Sequence, residues 1–504
     1  MADVVVGIDM GTGSSKGVVT TADGRVLASA TRAHGVSMPR PGHVEVDAVE
    51  VWWGDVVALC RELLPQVEEH VVRGVCVSGV GPSLVLTDGD GEPVRPAILY
   101  GIDMRAHEEI EELTARYGAD EVLRRCGKAL SSQAVGPKVL WVRRHEPEAW
   151  ARVRRWYGSN SFVVGRLTGE YVQDHHTASQ CDPLYDIAAQ DWNADWAEDV
   201  VAGVPLPRLA WPGEVVGHVL AGAAEETGLP EGTPVCAGTV DAWAEAHSAG
   251  VGATGDLMLM YGSTMFFVQV LDGLEVHPQL WTTSGVHAGS YTMAAGMATS
   301  GILTSWVRDL TGGADFADLV AEASRVPPGA DGLVLLPYFA GERTPVFDPR
   351  ARGVVAGLTL SHTRAHLFRA AYEGIACGVR QVIDLLDASA APPRRLVAVG
   401  GGTQGDLWTQ IVSDVTGLPQ DLPEQGIGAS YGDALLAATG TGLVPPDTQW
   451  ARVARTVEPD PARREVYDGL LQSYAELYPA TRTIVHRMAR LQEEGAGRQD
   501  PPVA

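Results

Sequence analysis

The sequence predicts an α/β protein built from two domains of related design. Its 504 residues exceed one ordinary domain, because compact domains mostly contain about 100–200 residues. Both halves begin with a strand, a short glycine-containing turn and a second strand, at Val4 and again at Asp256. Helical segments follow each opening, and this mixture of strands and helices is typical of α/β folds.

The elements of the first half follow from hydrophobic periodicity and turn residues. The apolar, β-branched run after Asp3 predicts a strand, and turns containing glycine separate it from two further strands. A helical spacing of apolar residues begins at Val49. The predicted elements are strands at 4–9, 16–21, 25–30 and 74–78 and helices at 49–69 and 107–117.

The second half repeats the opening and ends in helices. Its predicted strands are 256–261, 265–271 and 291–295, and its predicted helices are 364–386, 407–416, 430–439 and 460–494. The two openings predict domains at 1–250 and 251–494. The last residues, 495–504, contain Arg-Gln-Asp-Pro-Pro and are expected to be a disordered tail.

Composition excludes several classes of function. The net charge of −25 argues against a nucleic-acid-binding or anionic-membrane protein, because both usually present a basic surface. With 45% hydrophobic and 20% charged residues, the chain is not expected to be disordered. The six cysteines form no metal-binding pattern, and the sequence leads us to expect neither a signal peptide nor a membrane-spanning helix. We therefore expect a cytoplasmic protein that binds neither nucleic acid nor membrane.

The first candidate site is the turn after the first strand, which reads GIDMGTGSSKG over residues 7–17. It is not a P-loop, which needs a glycine directly before the lysine. It is not a dinucleotide fingerprint either, because strand-like sequence follows it. The turn can form a nest for phosphate, Asp9 can hold Mg²⁺, and Lys16, one of only three lysines, can offset negative charge. The alternative is a plain hairpin with a solvated aspartate.

The second candidate is Asp241, where an apolar strand meets an alanine-rich helix in the sequence CAGTVD over 236–241. An aspartate at such a junction is a common helix N-cap. The same carboxylate can instead accept a proton from a substrate hydroxyl. Local sequence alone favours the cap.

The third candidate is a strand that ends in Gly400, Gly401 and Gly402. Adjacent glycines allow the backbone to approach a flat ligand such as a nucleoside, although an ordinary β–α connection is the alternative. The turn at 262–264, Gly-Ser-Thr, repeats the first hairpin in the second half.

In this order, these motifs resemble the FGGY family of carbohydrate kinases, in the actin/hexokinase-like ATPase superfamily. The resemblance covers about residues 3–445. Residues 9–16 and 262–264 resemble the two phosphate hairpins of the family, and 400–408 resembles its adenosine motif. Further resemblances are found at 42–53, at 353–374 and, typical of the xylulokinase branch, at 341–349.

The resemblance implies two ribonuclease H-like domains of the actin/hexokinase type with a ligand cleft between them. It also implies ATP and Mg²⁺ as ligands, with Asp9 at the metal. Asp241 would be the base that takes the proton of the attacking sugar hydroxyl, which reverses the local preference for a cap. The remaining residues implied are Thr12, Gly13, Ser14, Lys16, Gly262, Ser263, Thr264, Gly400, Gly401 and Gly402 for ATP, and Gly81, Pro82, Ser83 and Asp103 together with Asp241 for the substrate.

The substrate is less closely defined by the resemblance. Xylulokinases that resemble this chain carry Met-His-Gly near the position of 81–83, so an imidazole donor is lost here. Asp103 is retained, either as a sugar contact or as half of a surface ion pair. His175 and His176 are either structural or face the sugar.

Three functions are consistent with the sequence. The first is a kinase of a ketopentose such as xylulose or ribulose. The second is the same chemistry on a ketohexose, a tetritol or a glycerol-like polyol. The third is a non-catalytic sugar or nucleotide sensor, which the presence of Asp9, Lys16 and Asp241 disfavours. A homodimer is expected from the family alone.

Overall fold

The computed structural model describes residues 2–389 and 392–496. The chain divides into two compact units. The first contains the residues through Gly252 together with Val270–Thr292 and Ile427–Arg452, and the second contains Ala253–Gln269, Met293–Gly426 and the residues from Val453 onward. The division into domains at 1–250 and 251–494 stays a prediction. Of the predicted tail, the first two residues belong to a helix that ends at Ala496, and 497–504 lie outside the described residues.

Strands and helices alternate along most of the chain. The strands are β1 (Asp3–Met10), β2 (Ser14–Thr21), β3 (Val26–Ala33), β4 (Glu45–Val46), β5 (Val71–Gly79), β6 (Val85–Thr87), β7 (Ala97–Ile98), β8 (Arg155–Tyr157), β9 (Val172–Asp174), β10 (Tyr185–Asp186), β11 (Asp191–Trp192), β12 (Arg208–Ala210), β13 (Val215–His218), β14 (Pro234–Cys236), β15 (Asp256–Tyr261), β16 (Met265–Val270), β17 (Trp281–Ser284), β18 (Tyr291–Met297), β19 (Val334–Leu336), β20 (Val354–Ala356), β21 (Arg395–Val399), β22 (Gln420–Pro423) and β23 (Val453–Val457). The helices are α1 (Gly54–Leu63), α2 (His107–Tyr117), α3 (Ala119–Cys126), α4 (Val135–His145), α5 (Pro147–Arg152), α6 (Ser159–Thr168), α7 (His175–Ala178), α8 (Ala194–Val201), α9 (Ala221–Thr227), α10 (Asp241–Ser248), α11 (Gly301–Leu310), α12 (Phe316–Ala323), α13 (Arg364–Ser389), α14 (Asp406–Thr416), α15 (Ala429–Gly440) and α16 (Arg464–Ala496).

The main sheet of the first unit has the strand order β13-β14-β5-β1-β2-β3. The antiparallel pairing of β1 with β2 and of β2 with β3 confirms the predicted strand–turn–strand opening. On its other side β1 pairs in parallel with β5, which in turn pairs in parallel with β14. The parallel strands end at the same edge of the sheet, so residues that follow β1, β5 and β14 are brought close together.

The two-residue alternation of β1 decides which side chains face that edge. Val4, Val6 and Ile8 belong to one apolar core, which also contains residues of α1 and α6, whereas Val5 belongs to a second core built on α15. Because successive side chains of a strand point to opposite faces, Asp9 lies on the α15 face. The predicted strand thus positions a carboxylate beneath a helix that comes from the far end of the sequence.

Helix α15 can approach this face closely because glycine stands at the crossing with α10. A Cβ atom on Gly432 would lie 1.9 Å from the carbonyl oxygen of Ala244, closer than any real contact. The absence of a side chain there allows the two helices to touch through their backbones. This contact brings the next residue of α15, Asp433, to the edge where β1 and β5 end.

The sheet of the second unit repeats the pairing pattern of the first. Its strand order includes β18-β16-β15-β21-β22-β23, with β15 antiparallel to β16, parallel to β21, and β21 parallel to β22. The outermost pair, β22 with β23, is antiparallel, as is β14 with β13 in the first unit. The same order and directions in both units confirm the predicted α/β fold of two related halves.

One predicted helix, 49–69, is wrong in detail. A π-helical turn (Ala48–Trp53) runs into α1, and a 3-10 turn (Leu64–Val67) follows it. Asp47 caps the π turn by accepting from the N–H groups of Val49 and Glu50. Pro65 lies at the start of the 3-10 turn and has no N–H with which to continue an α-helix.

All six cysteines are buried and unpaired. In the described part of the chain, no helix combines the length and the apolar character that crossing a membrane requires.

Candidate active site

Four carboxylates of the first unit gather at the edge where β1 and β5 end: Asp9, Asp241, Glu245 and Asp433. Asp9 and Ser78 are neighbours in the parallel pairing of β1 with β5. The Ser78 hydroxyl donates to Asp433 at 2.6 Å and lies 3.5 Å from Asp9 Oδ1. The strands, α10 and α15 together therefore build a cluster of acids, two of which share the Ser78 hydroxyl.

Burial and mutual repulsion disturb the acids of this cluster. Burial raises the pKa of Asp9 well above its ordinary value, the charges of Asp241 and Glu245 raise it further, and Lys16 opposes them. Burial also raises the pKa of Asp241 to about 7, with Glu245 adding to the effect and the N–H of Ala242 opposing it. Lys16 is the cation that acts on this group of acids, so the site has an excess of negative charge that a bound cation would neutralise.

The cluster fits Mg²⁺ only in combination with another ligand. In the described ranges, no group of three or more His, Cys, Asp or Glu side chains could enclose a metal by itself. Mg²⁺ usually keeps several waters and takes one or two carboxylates plus phosphates of a substrate. The acids around Asp9 match that donor set, in which phosphate oxygens complete the coordination.

Asp241 is not the N-cap that its local sequence suggests. Helix α10 begins at Asp241, and Val240 occupies the capping position. The Asp241 carboxylate accepts from the N–H of the next residue, Ala242, at 2.7 Å. No hydrogen bond from the described part of the chain reaches its second oxygen, so the carboxylate retains acceptor capacity for a ligand.

The first hairpin places its predicted phosphate ligands at the surface of the same unit. Asp9 pairs with Lys16 across the β1–β2 ladder. Gly13 and Lys16 are exposed, and Thr12 and Ser14 are half-buried. The Thr12 hydroxyl lies 3.2 Å from the hydroxyl of Tyr100. The predicted residues thus share one turn beside Asp9, where a phosphate group can reach them.

The loop after β5 lies against the residue that precedes Asp241. The N–H of Gly79 donates to Thr239, and Gly79 forms a parallel bridge with Val240. A Cβ atom on Gly81 would lie 2.7 Å from the Val240 side chain, which shows how closely the loop packs. Of the predicted substrate contacts in this loop, Gly81 is therefore the one adjacent to the candidate base.

The other two predicted contacts in this loop are enclosed. Ser83 is 1% exposed, and its hydroxyl donates to Val80 at 2.8 Å. Pro82 is buried beside it. These two buried residues therefore pack beneath the exposed surface of the loop and stabilise it.

Asp103 is also enclosed, in a buried ion-pair network rather than at the surface. Its carboxylate accepts from Arg105 and, at 2.6 Å, from the N–H of Val44, while Arg105 also pairs with Glu45 at 2.8 Å. Burial tends to raise the pKa of Asp103, but Arg105 and the Val44 N–H outweigh it and lower the pKa. A direct contact between Asp103 and a sugar would require this network to open.

His175 and His176 pack on aromatic rings. His176 is buried, its ring lies 3.9 Å from that of Trp243, and Nδ1 bonds to the carbonyl oxygen of Ser284 at 2.7 Å. Burial lowers its pKa to about 3, so the ring is neutral. Because Trp243 follows Asp241 by two residues, His176 stiffens the first turn of α10.

The second unit contains the other predicted phosphate hairpin. Ser263 is exposed, and Gly262 and Thr264 are half-buried. The beginning of α11 supports this turn: the N–H of Gly301 donates to Gly262, and the N–H of Ile302 donates to Ser263. The hairpin is therefore fixed by backbone hydrogen bonds and keeps one side open.

A cavity of about 840 Å³ lies beside this hairpin, within the second unit. One wall is aromatic: Tyr372 stacks on Trp408 with centroids 5.0 Å apart, and Tyr261 meets Trp408 edge-on at 5.1 Å. Gly401 and Gly402 also line the cavity, together with the apolar side chains Ile302, Phe316 and Val320. A slot with flat, apolar walls and open backbone suits a purine base.

The predicted adenosine glycines have different surroundings. A Cβ atom on Gly402 would lie 2.6 Å from the Trp408 ring, so glycine is required there by packing. A Cβ atom on Gly401 would meet nothing within 4 Å, so glycine leaves space there. Gly400 has a φ of +92°, a conformation that favours glycine.

Sequence reasoning missed Ser78, Glu245, Asp433 and the aromatic residue Tyr372. A signal existed for Glu245, because residues four apart lie on one face of a helix and Asp241 is four positions earlier. Asp433 gave no local signal, since only the packing of α15 on the sheet brings it to Asp9.

The two halves of the chain match the two domain models of one family. Residues 4–247 match the N-terminal domain of the FGGY family of carbohydrate kinases, and residues 254–441 match its C-terminal domain. The chain belongs to the FGGY family of carbohydrate kinases, and it is accordingly a carbohydrate kinase.

Xylulose kinases and a glycerol kinase are among the similar proteins. The xylulose kinase of Escherichia coli (strain K12) is 30% identical over 441 residues, covering 86% of this chain and 89% of that protein. A glycerol kinase of Nocardia farcinica is 30% identical over 478 residues, covering 90% and 93%. The crystal structure of a xylulose kinase from Rhodospirillum rubrum is similar with a TM-score of 0.89 and 34% identity, covering 96% and 100%.

Proposed function

We propose that this chain transfers the γ-phosphoryl group of ATP to a hydroxyl of a ketopentose such as xylulose or ribulose, with Asp241 as general base. The observation that carries the proposal is the position of Asp241, beside Asp9 and with its pKa raised to about 7 by burial. A carboxylate in such surroundings is a stronger base than one in water and can accept a hydroxyl proton near neutral pH.

The other residues of the first unit would bind the metal, the phosphates and the sugar. Asp9 would hold Mg²⁺, which when bound neutralises charge on the β- and γ-phosphates. Lys16 and the turn at 12–14 would donate to phosphate oxygens. Gly81 would lie along the sugar, while Asp103 would fix the neighbouring loop through Arg105.

The second unit would bind the nucleoside and the remaining phosphate oxygens. Tyr372 and Trp408 offer an aromatic wall, and Gly401 and Gly402 offer open backbone, for the adenine ring. Ser263 and Thr264 would donate to phosphate. Phosphoryl transfer depends mostly on alignment and on neutralising charge, and these residues supply both.

A glycerol-like polyol is the second candidate substrate. It is favoured by the glycerol kinase relative, which is as similar to this chain, at 30% identity, as the xylulose kinase of E. coli. The loss of the Met-His-Gly segment near 81–83 also points away from strict xylulose recognition. Cytoplasmic location and a homodimer stay predictions.

The test is sugar-stimulated ADP release measured against a panel of ketopentoses, ketohexoses, tetritols and glycerol. We expect the highest kcat/KM with a ketopentose. A higher kcat/KM with glycerol or a tetritol would replace the first candidate with the second. If no member of the panel stimulates ADP release by the wild-type protein, the proposed function is wrong.

A further inference from the structure

His34 supports the first hairpin from behind, at two of its carbonyl groups. Its ring Nε2 lies 3.0 Å from the carbonyl oxygen of Gly11. Its backbone N–H donates to the carbonyl oxygen of Gly13 at 3.1 Å. The residue that directly follows β3 therefore holds alternate peptide units of the turn that contains Thr12 and Ser14.

These two contacts decide where the N–H groups of the turn point. In a trans peptide the C=O of one residue and the N–H of the next point in opposite directions. Holding the carbonyls of Gly11 and Gly13 toward His34 therefore turns the N–H groups of Thr12 and Ser14 to the other side.

The support also changes the hydrogen bonding of the turn itself. In a hairpin with a two-residue loop, the residues that flank the loop commonly exchange two hydrogen bonds. Here the N–H of Gly11 donates to Ser14 at 3.0 Å, but the carbonyl of Gly11 accepts from His34. The complementary bond from the N–H of Ser14 to the carbonyl of Gly11 is absent from this turn of described residues, so that N–H does not serve to close the hairpin.

Asp55, near the start of α1, fixes the orientation of the His34 ring. Its Oδ2 lies 2.8 Å from His34 Nδ1 and accepts from the Ser15 hydroxyl at 2.7 Å. A backbone carbonyl can only accept, so Nε2 carries a hydrogen. With its other ring nitrogen beside the Asp55 carboxylate, the His34 ring is held with Nε2 toward the carbonyl oxygen of Gly11.

The second hairpin achieves the same orientation by other means. There the N–H groups of Gly301 and Ser300 donate to the carbonyl oxygens of Gly262 and Ser263 at 2.9 and 3.0 Å, so the start of α11 holds two successive carbonyls of the turn from one side. Since both turns are held through carbonyl groups on one side, the contacts of His34 reproduce a feature common to the two phosphate hairpins of this chain.

We propose that His34, held by Asp55, is a positioning residue for the phosphate groups of the nucleotide. It keeps the Thr12 and Ser14 N–H groups on the side of the turn where a phosphate can bind. The inference rests on the proposed role of this hairpin in ATP binding, and it adds a pair of residues that no motif of the sequence singled out.

The test compares His34→Leu, His34→Gln and Asp55→Asn with the wild type. The matched control is His70→Leu, which removes another partly buried histidine of the same unit, bonded to the N–H of Ala2. Three quantities are measured: the dissociation constant of MgATP without sugar, the KM values for MgATP and for sugar, and the melting temperature.

For His34→Leu we expect MgATP to bind about tenfold more weakly, the effect of losing one hydrogen bond to a charged group. The KM for MgATP should rise in parallel, with the KM for sugar unchanged. His34→Gln, which can still donate to Gly11, and Asp55→Asn should show smaller changes in the same direction. The melting temperature should fall no more than in His70→Leu.

Two results would overturn the inference alone. One is unchanged MgATP binding in all three variants of a wild type that turns over sugar. The other is an equal rise of both KM values with a large fall in melting temperature, which would indicate a merely structural role. If the wild type neither binds MgATP nor turns over any sugar, the proposed function fails and this inference fails with it.

Discussion

At the scale of single residues, neighbouring positions in the candidate site differ in burial, charge and packing. Asp9 and Asp241 lie close to other acids, and burial raises the pKa of both carboxyl groups. Their ionised forms are therefore disfavoured unless a bound cation neutralises the charge. Gly401 and Gly402 are adjacent in sequence, but only Gly402 is packed against protein atoms. Such differences allow ligand binding to be separated from folding.

We predict that Gly401→Ala and Gly402→Ala behave differently. Gly401→Ala should leave the melting temperature unchanged and raise the KM for MgATP, because its methyl group meets open space until a purine is bound. Gly402→Ala should destabilise the protein by about 1–3 kcal/mol, since its methyl group would overlap the Trp408 ring. Thermal unfolding and steady-state kinetics measure both. An unchanged KM for MgATP in Gly401→Ala would mean that this glycine does not contact the nucleotide.

Sequence motifs could identify the residues whose chemistry is local. Asp9 and Lys16 stand near strand ends beside a tight turn, and Asp241 stands at the start of a helix, where a motif fixes both residue type and position. The burial of Asp103 could not be predicted, because its partners Val44 and Glu45 are far away in sequence and meet it only after folding. The predicted surface ion pair of Asp103 is wrong in its location, since the pair with Arg105 is buried.

At the scale of elements, the site depends on buried groups carried by helices. Two of the three lysines are buried in the first unit. Lys138, on α4, donates to the carbonyl oxygens of Leu99 and Tyr100, which precede the Asp103 loop. Burial lowers its pKa to about 7. Helix α4 is thus tied to the loop that carries Asp103.

We predict that Lys138 makes stability depend on pH. Its pKa is lower in the folded protein than in the unfolded chain, so between about pH 7 and pH 10 unfolding takes up a proton and stability rises with pH. Lys138→Met removes this contribution. The melting temperature of the wild type relative to Lys138→Met should therefore rise from pH 7 to pH 10. A difference that stays constant or falls over this range would contradict the buried, weakly basic state of Lys138.

The elements themselves were largely predictable, and the reason is periodicity. The strands β1, β2, β15 and β16 have alternating or continuous apolar residues bounded by glycine turns, and the sequence places them within two residues of their ends. The region 49–69 looked like one helix because apolar spacing does not distinguish π, α and 3-10 turns. The boundaries between these turns are marked in the sequence by Asp47, which caps the π-helical turn, and by Pro65 at the start of the 3-10 turn.

At the scale of the whole molecule, net charge and ligand charge have the same sign. A chain of net charge −25 is proposed to bind a polyanionic nucleotide, and Lys16 is the cation that acts on the acid cluster. The packing of α15 on the first sheet is a second property of the whole chain. It brings residues 427–452 into the first unit, and no local pattern in the sequence predicts it.

We predict that removing divalent cations weakens ATP binding at least about tenfold, because the triphosphate would then meet the uncompensated acids around Asp9. The dissociation constant of ATP is measured with Mg²⁺ and with excess EDTA, and adenosine serves as an uncharged control. Adenosine binding should not change. Equal affinities for ATP in the two conditions would show that the acid cluster does not take part in nucleotide binding.

The central claim is that Asp241 accepts the proton of the hydroxyl that attacks ATP. The most direct measurement is kcat of Asp241→Asn with the best sugar of the panel, together with the MgATP dissociation constant of the same variant. We expect kcat to fall by about 10²–10⁴, the usual contribution of a general base, while MgATP binding and melting temperature stay close to wild type. An Asp241→Asn variant that retains most of the wild-type kcat would contradict the account.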